Sequence, residues 1–119
     1  MHTQRFKAIQ IPSRSLSLLQ SLATSFMKDP AAARVIGTLD QLPPRHRARI
    51  GGGADQQYLW FAWEEGSRTR LVTGALSLEH SRERGRPVLE ARVYDENGLL
   101  EESGEWVRTV DNGWERCHW

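Results

Sequence analysis

The hydrophobic period changes partway along the chain, from three-to-four spacing before residue 50 to a spacing of two after residue 57. In the first part Leu16, Leu19, Ala23 and Phe26, widened by Leu22 and Met27, recur together, while Ser17, Ser21 and Ser25 take the other side. Side chains three and four apart share one stripe of a helix, so this stretch predicts an amphipathic helix of about three turns. Ser13 or Ser15 can cap it by accepting a bond from an unpaired first-turn amide. Asp29-Pro30 then predicts a second helix, because Asp is a good N-cap and Pro at the first helical position loses no needed bond. Ala31 to Ile36 would propagate it and Gly37 would end it in a left-handed cap. Ahead of both, Phe6 to Ile11 alternates weakly and stops at Pro12, which predicts a short strand.

After Gly51-Gly52-Gly53, a flexible joint, the pattern is that of a sheet. Gln57 to Trp63 is apolar on both parities, as expected of a central strand covered on both faces. Arg70 to Leu78 pairs with it across a short turn, and Gly74 marks a bulge or a close backbone approach. Val88 to Tyr94 alternates with Leu89, Ala91 and Val93 inward, and Asp95-Glu96-Asn97-Gly98 turns the chain. Val93 to Leu100 resembles one unit of the hairpin repeats of some secreted bacterial proteins, and a single copy implies a turn. A three-residue loop Asp111-Asn112-Gly113 would set Val110 against Trp114, Arg108 against Arg116 and Trp106 against His118. Two opposed arginines repel unless an acid or ligand lies nearby, which hints at a site. The expected fold is therefore α+β, an N-terminal strand and two helices packed on an antiparallel meander of about five strands. It would form one domain over residues 1–119, with a helical part at 13–42, the glycine joint at 51–53 and the sheet at 57–119.

Composition narrows the class. An apolar fraction of 39% with 26% charged residues fits a soluble globular chain. No apolar run reaches the ~20 residues that span a bilayer, and no apolar segment follows Lys7 as a secretory signal requires. The one cysteine, Cys117, excludes an internal disulfide and fits a reducing compartment, so the expected location is cytoplasmic without a membrane partner. The net charge of +1 divides into +5 over residues 1–59 and −4 over residues 60–119, so the halves attract each other or steer a charged partner.

Chemistry is harder to find. Cys117 and His118 are neighbours on a predicted strand and point to opposite faces, so a catalytic thiol would need His2, His46 or His80 from elsewhere. These groups lack zinc-site spacing, and Gly51-Gly52-Gly53 lacks the ending of a phosphate loop. Glu64-Glu65 and Glu101-Glu102 flank predicted turns, where carboxylates are solvated. The expectation is a non-enzyme without metal or cofactor. Arg45, Arg47 and Arg49, then Arg82, Arg84 and Arg86, form two basic clusters, and Trp106, Arg108, Trp114 and Arg116 offer the residue types that anchor interfaces. The leading reading is a small protein-binding module, a stoichiometric inhibitor, an immunity-type protein or a homodimer. The alternative is a small-molecule or enzymatic pocket between a curved sheet and the helices. Tyr58, Trp60, Trp63, Tyr94 and Trp106 would line it, with His80, Glu90 and Arg92 as its polar groups. A third reading lays single-stranded nucleic acid along the arginines, with bases stacked on aromatic rings. Near-neutral charge and an acidic sheet region disfavour it.

Overall fold

The computed structural model describes residues 13–50 and 59–118. The expected strand at 6–11, the glycine joint and Tyr58 lie outside the described residues. Helix α1, Ser13–Thr24, precedes strand β1, Arg34–Ile36, a 3-10 turn at Leu39–Gln41 and the short helix α2, Pro44–Arg47. Strands β2 (Leu59–Glu65) and β3 (Arg68–Leu76), helix α3 (Leu78–Arg84), and strands β4 (Val88–Tyr94), β5 (Leu100–Arg108) and β6 (Trp114–Arg116) follow. The six strands lie side by side in chain order, every neighbour antiparallel. This is the expected α+β meander with one more strand than the sequence pattern predicts.

The extra strand replaces the predicted second helix. Pro30 to Ala32 form only a turn, and Arg34, Val35 and Ile36 pair with Glu64, Trp63 and Ala62. Local propensity favours a helix there, but β2 would otherwise leave a row of unpaired amides and carbonyls along a strongly apolar strand. Arg34 reinforces the pairing through an ion pair with Glu64. A second clasp ties the turn after α1 to the β2–β3 hairpin. Glu65 accepts hydrogen bonds from the amides of Lys28 (2.8 Å) and Asp29 (3.1 Å) and from the Trp63 indole (3.2 Å).

One sheet face carries α1. Leu19, Leu22 and Ala23 are fully buried against Phe61, Trp63, Val72, Leu89, Ala91, Val93 and Trp106. The predicted stripe is rotated slightly: Leu16 is 43% exposed, and Ser21 turns half-buried toward the sheet. Gly74 is the point of close approach. A Cβ there would lie 2.6 Å from the Glu90 carbonyl oxygen and 3.2 Å from Leu19 Cδ1. Ile36, Leu42, Ala62, Leu71 and Tyr94 form a second cluster on the opposite face, under the segment that contains α2. Val88, Val107 and Cys117 form a third toward the β3–β4 end. Among the described residues no helix is long and apolar enough to cross a membrane.

The last hairpin turns one residue earlier than expected. Arg108 pairs with Trp114 and Trp106 with Arg116, and the Thr109 amide donates to the Gly113 carbonyl. The loop is thus Val110-Asp111-Asn112, and Asn112, not Gly113, takes the left-handed position at φ 66°. Asn tolerates that region, and Asp111 and Thr109 fix the turn by accepting from the Gly113 amide. The arginines are therefore not opposed. Each lies across from a tryptophan, at 4.9 Å from the Trp114 ring for Arg108 and 5.2 Å from the Trp106 ring for Arg116.

Two outcomes are expected. Gly74→Ala should destabilise the fold by about 2 kcal/mol or more, because backbone rather than a movable side chain blocks the new methyl; urea unfolding measures it. Burial raises the Glu65 pKa, but the amides of Asp29 and Lys28 and the Trp63 indole more than offset this and hold it below the usual carboxylate value. Its stabilising contribution is complete above the unfolded value of about 4.3 and is lost as pH falls through the lower folded value. Glu65→Gln should therefore flatten the acid limb of stability against pH, and an unchanged slope below about pH 4 would refute this role for the clasp.

Candidate functional site

Two of the three arginines of the first basic cluster bind the β4–β5 turn, and the third binds locally. Arg45 donates to the Glu96 carbonyl (3.0 Å), Arg49 to the Gly98 carbonyl (2.8 Å) and Arg47 to the Leu42 carbonyl (2.9 Å). Arg49 also lies over the Tyr94 ring. Between them His46 is fully buried, with Nε2 2.9 Å from the Asp95 carbonyl oxygen and Nδ1 without a partner among the described residues. Asp95 in turn accepts from the amides of Asn97 and Leu99, which, the Leu99 bond foremost, hold its carboxyl below the ordinary value. Gly98 has φ 76°, and a Cβ there would come within 3.0 Å of the Arg45 carbonyl. A helical turn with basic residues is thus clamped onto a hairpin turn through backbone acceptors.

The second cluster lies at the other end of β4. Arg82 and Arg84 occupy the last turn of α3, Gly85 closes it at φ 70°, and Arg86 follows, all three arginines exposed. The two clusters are therefore separated by the length of β4, about 20 Å, and do not form one continuous basic track.

The tryptophans divide between faces. Trp63 and Trp106 lie in the α1-side core, at 0% and 5% exposure, with Phe26 meeting Trp106 edge-on at 5.6 Å. Trp60 and Tyr94 pack on the opposite face, so the four rings do not line a common cavity. Trp114 and Arg108 both donate to the Ser21 hydroxyl, at 3.1 and 2.7 Å, and bind α1 to the β5–β6 edge. Arg116 pairs with Glu102 and the Ser103 carbonyl, and Gly104 leaves room for its guanidinium. Cys117 is buried, its thiol pushed up chiefly by that burial, while His118 is exposed.

Two further surfaces lie among the described residues. The first is an apolar groove of about 420 Å³ between α1 and β1, lined by Leu16, Gln20, Val35, Leu59, Trp60 and Phe61. Val35 is 51% exposed, and β1 is the outermost strand of the sheet, without a strand beyond it among the described residues. Sequence reasoning missed this groove because it assigned Val35 to a helix. The second is a trough of about 210 Å³ in the middle of the opposite face. There Thr73, Arg92 and Ser103 form one cross-strand row, and Glu90 and Glu105 stand opposite each other in the next. Beside the trough His80 of α3 meets this second row, with Nδ1 2.7 Å from Glu105 Oε1, and that hydrogen bond raises the imidazole pKa despite partial desolvation. The structure thus gathers three of the expected polar groups, His80, Glu90 and Arg92, onto one face. Thr73, Ser103 and Glu105 join them; strand alternation alone could have placed these last three there.

A scan of protein-family models, a search of curated proteins and a search of solved structures each returned no match.

If the first arginine cluster serves the fold, Arg49→Ala should cost about 1–2 kcal/mol, from a charged hydrogen bond and a ring contact. Amide hydrogen exchange should quicken around residues 95–99. Wild-type stability with unchanged exchange would free this arginine for another role.

Proposed function

We propose that this chain is a small non-catalytic protein-binding module, in the class of stoichiometric inhibitors or immunity-type proteins. The observation that carries the reading is the apolar groove beside the outer edge of β1. Leu16 and Val35 expose 43% and 51% of their surface there, although neither is needed to fill the core. An extended partner segment can pair with the edge of β1 while its alternate side chains enter the groove, so main-chain bonds supply affinity and the apolar lining supplies selection. Arg34 is engaged by Glu64, which leaves Val35 as the central apolar contact on that strand. The first basic cluster and the Trp106–Trp114 pair, among the first candidates from sequence, are largely occupied inside the fold, which favours this edge over them.

The test compares wild type with Leu16→Glu and Val35→Glu as baits, under chemical cross-linking and light scattering after size exclusion. Both variants should keep wild-type unfolding midpoints, because the side chains are exposed. Each should weaken the partner recovered by wild type at least about tenfold, the loss of one well-packed contact. Equal recovery by all three proteins would sink the groove as the contact surface. A dimer of the wild type that the variants abolish would identify the partner as a second copy.

A further inference from the structure

We propose that the trough on the face away from α1 binds a small amino carboxylic acid. Glu90 would receive its ammonium group, and Arg92, with the hydroxyls of Thr73 and Ser103, its carboxylate. The trough is open, about 210 Å³, below the roughly 300 Å³ at which drug-sized ligand sites begin, so its occupant is a molecule of few heavy atoms.

Four observations converge. First, Arg34, Arg70 and Arg116 on the sheet are paired with Glu64, Glu101 and Glu102, and Glu105 is paired with His80. Glu90 and Arg92, both exposed, make no ion pair or side-chain hydrogen bond among the described residues. Second, they are two apart on β4 and so share a face, with Cα atoms about 7 Å apart. Side chains rooted about that far apart on one face can each offer one hydrogen bond to the opposite ends of a small zwitterion. Third, Glu90 lies directly across from Glu105, and like charges in that position destabilise a sheet. His80 is bonded to Glu105, and an incoming ammonium at Glu90 would relieve the rest of the repulsion. Fourth, Thr73 and Ser103 flank Arg92 on either side in the same cross-strand row, placing two hydroxyl donors beside the guanidinium. The facing Glu90 and Glu105 depart from the local rules of sheet stability, and such violations are expected where a surface is kept for a ligand.

The test is a titration of isotope-labelled protein with glycine, glutamate, lysine and phenylalanine, followed by amide chemical shifts. Saturable shifts centred on residues 73, 90–92 and 103–104 are expected for at least one of them below about 10 mM, in keeping with a weak, open site. Esterifying the carboxylate or acetylating the amine of that ligand should weaken binding at least about tenfold, and so should Arg92→Gln or Glu90→Gln, each removing one charged hydrogen bond. The modified ligands test the idea on the unaltered protein, whatever the variants do to folding. Leu16→Glu and Val35→Glu should leave the titration unchanged, which separates this site from the groove. The proposal falls if no amino acid produces saturable shifts, if they cluster away from the trough, or if the ester and the N-acetyl derivative bind as well as the parent.

Discussion

The approach of Leu19 to the bare backbone at Gly74 governs the geometry of the whole body. A helix crossing a sheet is normally held off by the side chains beneath it, but here the sheet has none at the crossing point. That lets Leu19 and Leu22 descend to full burial and seats them among Val72, Ala91 and Val93. With α1 fixed at that height, Ser21 falls within reach of Arg108 and Trp114, and the turn after the helix falls within reach of Glu65. The helix is thus joined to two separate parts of the sheet, the β2–β3 hairpin and the β5–β6 edge. Packing sets the distance and polar bonds set the direction, a division that follows from dispersion being short-ranged and non-directional and hydrogen bonds being directional.

The opposite face is organised by partial cover. The segment from Leu39 to Ile50 lies over Ala62, Leu71 and Tyr94, and its arginines grip the β4–β5 turn through carbonyl oxygens. Helix α3 has one large apolar side chain, Leu78, which is 67% exposed, so it holds its place through Ser77, Ser81 and His80 rather than through a hydrophobic stripe. Between these two covers Glu90, Arg92 and Ser103 remain at the surface. Among the described residues Arg45, Arg47, Arg49 and Glu105 thus bind backbone or a neighbouring side chain, whereas Glu90 and Arg92 in the gap do not.

Alternation and turn chemistry made most of the sheet legible. The inward set Leu89, Ala91 and Val93, the two-sided apolar strand at Leu59 to Trp63 and the glycine turn at Gly98 all follow from side-chain direction and backbone sterics, which are local. The misses were non-local. Residues 31–36 have a helical composition, and only the unpaired edge of β2 makes them a strand. The final loop was misplaced by one residue because Asn112 and Gly113 both accept a left-handed conformation, and Thr109 and Asp111 decide between them. The site residues were the least legible. An arginine that binds a hairpin carbonyl has the same sequence signature as one that faces solvent, so Arg45 and Arg49 could not be told from Arg92 without the fold.

The brevity of β1 has a consequence for how the protein avoids self-association. Leu59 to Trp63 is a five-residue run of aliphatic and aromatic side chains with no charge and no proline, the composition that seeds cross-β stacking when its edge is open. Three residues, Arg34, Val35 and Ile36, cover only its Ala62–Trp63 end, held by one ladder and one surface ion pair. Fraying of so small a shield would lay bare the stickiest stretch of the chain. A molecule that occupied the adjoining groove would then act as a chaperone for the fold as well as a binding partner.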